Sequence, residues 1–170
     1  MTIAGLILAG GRGTRLGEVD KALVPLGGRP LIAHARQRLE RQVDSLYISA
    51  NGDPARFGGT LPVLADSLAD HPGPLAGILA GLERAADDGH AALVSVACDT
   101  PFFPLDLVAR LRAEGDGMVA VAESRGRRHP VFALWPVALA ADMRAVLRSG
   151  QRGVGAFIAK RKPGKPRAYP

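Results

Sequence analysis

Six short apolar runs alternate with segments of helical periodicity, and this alternation constrains the fold more than any other feature of the chain. The runs at 3–8, 45–49, 62–65 and 91–97 read as strands, as do those at 117–122 and 130–135. Between them, helices are expected at 30–41, with Pro30 at the start and Leu31, Ala35 and Leu39 on one face, and at 75–86. A third helix is expected to open at Pro104 and carry Leu105, Val108 and Leu111, and a fourth to span 138–147. Strands separated by helices predict an α/β fold, a three-layer, mostly parallel twisted sheet with helices on both faces. Its 170 residues fit one domain, expected at 1–159, followed by a basic tail at 160–170 without regular structure.

Charge narrows the function classes. The net charge is +6, but the last eleven residues, KRKPGKPRAYP, hold five Lys and Arg and no acid, which leaves the body near +1. With aromatic residues at 5%, the body has neither the basic surface nor the stacking platforms of a nucleic-acid binder. The start, MTIAGLILAGG, lacks a basic leader and is too short and glycine-broken for a membrane span, so a cytoplasmic protein is expected. The single cysteine, Cys98, excludes an internal disulfide and reads as a small buried residue.

The first strand runs into LAGGRGTRLGEVDKALVPLGG. Glycines at a strand end bring several N–H groups against an anion with no Cβ in the way, and Arg12, Arg15 and Lys21 add positive charge. No glycine precedes a lysine in the Walker A frame. The dinucleotide fingerprint fails at Leu16, and no acid follows at ribose distance. The loop therefore reads as a polyphosphate cradle of another kind.

In open α/β sheets ligands sit outside the carboxyl ends of the strands, so residues just after each strand are the candidates. They are the glycine loop, Ser49-Ala50-Asn51-Gly52, Asp66, and Cys98-Asp99-Thr100-Pro101. Asp99 follows a buried-looking run, and proline then forces the chain out of the strand. A carboxylate held there suits Mg²⁺, which takes one or two carboxylates together with phosphate oxygens. Gly73 and Gly77 open a helix and let a ligand approach its N-terminus, while Gly77 and Gly81 can also serve close helix-to-sheet contact. His71 and His129 each precede a proline and belong to no nucleophile triad. Arg125, Arg127 and Arg128, just before His129, form a cluster able to meet a second anionic substrate.

These residues resemble a family. LAGGRGTRLGEVDKALVPLGGRPLI is similar to the nucleotidyltransferase signature in its molybdenum cofactor guanylyltransferase version, with Asp20-Lys21, and DSLADHPGPLAG and CDTPFFP resemble two further motifs of that family. The resemblance implies a nucleotidyltransferase that moves GMP from GTP to the terminal phosphate of molybdopterin or molybdenum-molybdopterin and releases pyrophosphate. It also implies Mg²⁺ as cofactor and other molybdenum-cofactor assembly proteins as partners. By the resemblance Leu8, Ala9 and Gly10 contact GTP, with Gly11 and Arg12 of the same loop beside them, Lys21 meets its phosphates, Arg15 helps place the nucleotide or the pterin, Asp66 meets the guanosine, and Asn51 or the Ser49 hydroxyl the base. Gly73 and Gly77 help place the substrates, and Asp99 holds Mg²⁺ and phosphate. The chain departs from the family at Ser49-Ala50-Asn51, where Asn-Ala-Asn is common, and its last residues lack the usual Asn-Val-Asn-Thr-Pro segment. A cytidylyltransferase and a nucleotide-binding module without turnover are the alternatives those departures leave.

Overall fold

In the computed structural model, the described residues are 1–10, 20–68, 73–115 and 117–160, together with the backbone of 167–169. Strand β1, Ile3–Leu8, is buried along its whole length and is an interior strand, third in order, of a seven-stranded sheet. It pairs in parallel with β4, Ser45–Ser49, on one side and with β6, Ala92–Ala97, on the other. β5, Val63–Leu64, continues the sheet outward from β4, again in parallel. Only β8, Arg127–Pro136, runs against its neighbours, pairing antiparallel with β6 and with β7, Ala120–Ser124. The α/β class and the mostly parallel sheet follow the alternation of the sequence.

Side chains alternate across the sheet and separate two cores. Ile3 and Ile7 of β1, with Ile48, Val94 and Val96, meet α1, Leu31–Leu39, and α3, Leu107–Gly115. Ala4, Leu6 and Leu8, with Tyr47 and Leu93, meet α2, Pro74–Asp87, α4, Ala140–Arg148, and α5, Val154–Ala159. α2 rides close on the sheet because two of its residues have no side chain. A Cβ on Gly81 would come within 2.8 Å of Leu6 Cδ2, and one on Gly77 within 2.3 Å of Ser49 Oγ. Glycine costs a helix about 1 kcal/mol per residue relative to alanine. Here that cost is offset by burial of Leu75, Ile78, Leu79 and Leu82.

Several boundaries differ from expectation. α3 starts at Leu107, so Leu105 is exposed and the buried face is Leu107, Val108 and Leu111. Pro104 serves as the acceptor of the Leu107 N–H, one turn ahead of that start. β7 begins after the Gly117 turn and runs to Ser124, because Arg125 and Gly126 form a two-residue hairpin into β8. β8 therefore starts before Pro130, whose missing N–H falls at a register shift in the β7–β8 ladder. The short antiparallel pair β2, Pro25–Leu26, and β3, Arg29–Pro30, turns on Gly27 and Gly28 at positive φ. The expectation of no regular structure beyond Lys160 fails at β9, Arg167–Tyr169, which adds to the sheet parallel to β7. Among the described residues no helix is long and apolar enough to cross a membrane.

Candidate active site at the carboxyl ends of the strands

The chain leaves β1 toward β4 on one side and later enters β6 on the other, which makes the carboxyl end of β1 a topological switch point. Ladder bonds carry on past the strand: Ala9 N–H donates to Ser49 O at 2.9 Å and Cys98 N–H to Leu8 O at 3.2 Å. Leu8 and Ala9 are consequently buried, and Gly10 is the first residue to reach solvent. Among the described residues, a Cβ on Gly10 would meet Ser49 O and Ala50 Cα at 3.7 and 3.8 Å, ordinary contact distances. Gly11, Arg12, Arg15 and His71 lie outside the described residues.

Lys21 and Asp99 face one another across this opening. Asp20 caps the 3₁₀ turn Lys21–Leu23, its Oδ1 accepting the Ala22 N–H at 3.1 Å, and so fixes where Lys21 starts. Lys21 Nζ lies 3.9 Å from Asp99 Oδ2, and both side chains are 47% exposed. An ion pair this long and this exposed is worth at most about 1 kcal/mol, so both partners can be recruited by a ligand at little cost. Asp99 fits a divalent cation completed by phosphate oxygens, since Mg²⁺ needs few protein carboxylates. No cluster of three His, Cys, Asp or Glu side chains able to hold a metal occurs among the described residues. Burial, reinforced by the Asp99 and Asp20 carboxylates, pushes the Cys98 thiol up to about 12. A thiol kept protonated is a poor nucleophile at neutral pH.

On the β4 side, Asn51 and Asp66 are joined twice. Asn51 Nδ2 donates to Asp66 Oδ2 at 2.9 Å, and Asn51 Oδ1 accepts the Asp66 N–H at 2.9 Å. Asn51 thereby orients the Asp66 carboxylate, whose other oxygen has no hydrogen bond among the described residues. Ser49 is placed differently: it is only 3% exposed, with its hydroxyl filling the space left by Gly77. Gly77 is likewise buried, on the face of α2 that meets the sheet, and neither side of this contact is exposed at the opening. Gly73 does face it. Its φ of 125° and ψ of 169° suit glycine alone, among the described residues nothing beyond its chain neighbours lies within 4 Å of where a Cβ would be, and the start of α2 has no side-chain cap.

Arg56 is a residue that the sequence reading does not single out. Its Nε donates to Asp20 Oδ2, Nη1 to Asp53 O and Nη2 to Asn51 O, each at 2.8 Å, with the guanidinium 4.5 Å above the Phe57 ring. One side chain thereby joins the segment that carries Lys21 to the loop that carries Asn51. Nothing in GDPARFGG marks that arginine, because its partner Asp20 is 36 residues away. Beyond Asp66, Ser67 Oγ donates to Glu83 of α2 at 2.8 Å, and Glu83 also accepts from Arg144 of α4. The loop after β5 is anchored through these contacts to the helical layer.

Known proteins resemble this chain in sequence and in fold. A molybdenum cofactor guanylyltransferase of Cereibacter sphaeroides is 55% identical over 162 residues, covering 94% of this chain and 82% of that protein. The crystal structure of molybdopterin-guanine dinucleotide biosynthesis protein A from Archaeoglobus fulgidus superposes with a TM-score of 0.73 at 20% identity, covering 98% of this chain and 83% of that one. A manganese complex of Rv0371c from Mycobacterium tuberculosis does so with a TM-score of 0.72 at 15% identity, covering 99% and 88%. The sequence pattern of the MobA-like NTP transferase domain matches residues 5–164. With the match spanning nearly the whole sheet and its carboxyl-end loops, the chain belongs to the MobA-like NTP transferase family and is a nucleotidyltransferase.

Proposed function

We propose that the protein transfers GMP from GTP to the terminal phosphate of molybdopterin, with or without molybdenum, releasing pyrophosphate and forming molybdopterin guanine dinucleotide. The observation that carries this reading is the convergence of Lys21, Asp99, Asn51 and Asp66 on one opening at the carboxyl end of β1. The 55% identity to a molybdenum cofactor guanylyltransferase supports the substrate pair.

The geometry suits an in-line displacement that needs no covalent enzyme intermediate. An acceptor phosphate oxygen forms a bond to the α-phosphorus of GTP, and the bond from that phosphorus to the α–β bridging oxygen breaks, its electron pair leaving with pyrophosphate. The protein has to align the two and neutralise charge. Lys21 Nζ meets the triphosphate, joined in this reading by Arg12, Arg15, Gly11 and the backbone around Leu8, Ala9 and Gly10. The Asp66 oxygen left open by Asn51 accepts from the guanosine. Gly73 places the uncapped start of α2 beside the substrates, while Ser49 and Gly77 set how closely α2 lies over the site. Asp99 would hold Mg²⁺, which would supply positive charge to offset that of the phosphates. The catalytic domain is taken as residues 1–159, with 160–170 as a basic tail.

A nucleotide competition experiment tests the base assignment. With a fluorescent GTP analogue bound in the presence of Mg²⁺, unlabelled GTP should displace it at far lower concentration than CTP. Preferential displacement by CTP would replace guanylyl with cytidylyl transfer.

A further inference from the structure

The β7–β8 hairpin concentrates positive charge that the GTP side of the site leaves unused. Arg125, Arg127 and Arg128 are all exposed in or beside its two-residue turn. β8 runs antiparallel to β6 with Ala133 opposite Ser95, so its first half continues past the carboxyl end of β6. The turn consequently stands at the same end of the sheet as Gly10 and Asp99.

This half of β8 is braced against the loop that Asp99 begins. The β6–β8 ladder stops at Ser95–Ala133, and the Val131 carbonyl accepts instead from Ser95 Oγ at 2.7 Å. His129 meets Phe132 edge-on at 6.4 Å, and Phe132 lies 5.9 Å from Phe103, four residues after Asp99. The His129 ring also shares a 2.7 Å hydrogen bond with Ser124 Oγ, which ties the two strands of the hairpin near its tip. A ligand held by the arginines is therefore held at a fixed distance from Asp99.

Two features of the arginines point to such a ligand. Arg125 has a φ of 50°, a left-handed conformation that glycine or asparagine adopts more readily, so the chain keeps an arginine where a more stable residue exists. Arg128 has Glu123 as a partner at 3.7 Å, but Arg125 and Arg127 have no ion pair among the described residues. Exposed cations without an ion pair among the described residues, beside a phosphate-transfer site, suit a phosphomonoester dianion, which arginine binds through paired N–H groups.

We infer that the hairpin, through Arg125 and Arg127, anchors the phosphate of the acceptor. The inference rests on the guanylyl-transfer reading above, in which two anionic substrates must be brought together. Lys21 serves the triphosphate, and a second anion of like charge needs cations of its own on the β6–β8 side of Asp99.

The full-length protein carrying Arg125→Asn and Arg127→Gln tests this. The KM for molybdopterin, and its Kd measured without GTP, should rise about tenfold or more, the effect of losing one charge-assisted hydrogen bond. The KM for GTP should stay within about twofold of wild type, and Arg127→Lys should restore part of the acceptor affinity. Arg125→Asn alone should raise the thermal midpoint while weakening acceptor binding, a combination that a merely structural role for Arg125 does not give. Arg148→Gln, at the exposed end of α4, is the control that should change neither substrate. Acceptor affinity unchanged in the double variant, or a parallel rise in both KM values, overturns the inference. The Kd separates this from the parent reading. If wild type binds molybdopterin without transferring GMP and the variant binds it more weakly, the anchor stands and guanylyl transfer falls. If wild type transfers GMP and the variant's Kd is unchanged, the anchor alone falls. A wild type that does not bind molybdopterin rejects both.

Discussion

Asn51 and Asp66 close a two-bond ring on each other, side-chain amide to carboxylate and side-chain carbonyl to backbone N–H, both at 2.9 Å. The ring fixes the carboxylate oxygen that this account gives to the guanosine. Asn51→Ala should raise the KM for GTP about tenfold with little change in kcat, the effect of losing one or two partly exposed hydrogen bonds. Asp66→Ala should cost more, and the double variant should cost no more than Asp66→Ala alone. Additive losses in that double-mutant cycle would mean that Asn51 acts independently of Asp66.

Arg56 makes three 2.8 Å contacts through one planar fork, to Asp20, Asp53 and Asn51. A lysine keeps the charge but cannot span those three acceptors. Arg56→Lys should therefore weaken GTP binding about tenfold by releasing both the Lys21 segment and the Asn51 loop, and equilibrium titration with a GTP analogue checks it. Wild-type affinity in that variant would remove Arg56 from the positioning role.

Ser49 and Gly77 share a single space. A Cβ on residue 77 would stand 2.3 Å from Ser49 Oγ, but 3.3 Å from Ser49 Cβ and 3.2 Å from Leu8 Cδ2. Gly77→Ala should destabilise the protein by about 1–3 kcal/mol in denaturant unfolding, the usual cost of overfilling a packed contact. Adding Ser49→Ala removes the hydroxyl and should recover most of that loss. A double variant no more stable than Gly77→Ala would place the strain elsewhere.

Burial, strengthened by its 2.6 Å hydrogen bond to Asp88, pushes the Tyr47 hydroxyl up to about 12. An unfolded tyrosine ionises near 10, so between about pH 10 and 12 the unfolded state binds fewer protons than the folded one. Stability carried by the Tyr47 hydroxyl is complete below pH 10 and lost as pH rises through 12. Tyr47→Phe should be about 1 kcal/mol less stable than wild type at pH 8, with the gap closing by pH 12. Cys98 titrates in the same direction in both proteins and cancels from the comparison. A gap independent of pH would contradict the assignment.

The parts of the fold legible in the sequence are those set by local pattern. β1 and β4 begin and end where the apolar runs do, because each run is buried and glycine or polar residues stop it. Asp99 at the end of β6 was readable for the same reason, Thr100-Pro101 forcing the chain out of the strand. What depends on distant partners was not. The start of β8 is fixed by a turn at Arg125-Gly126 and not by hydrophobicity, and β9 exists through its pairing with β7 amid lysine and proline. Ser49 carries no mark of which face it takes until Gly77 brings α2 down upon it. Arg56 is an ordinary loop arginine until Asp20 arrives beside it.

The central claim is tested most directly by incubating the protein with GTP labelled at the α-phosphate, molybdopterin and Mg²⁺, and following the label and pyrophosphate together. The account predicts labelled molybdopterin guanine dinucleotide and one pyrophosphate per label transferred, with both lost when molybdopterin is omitted. Pyrophosphate without labelled dinucleotide, or label transferred from CTP and not from GTP, would contradict it.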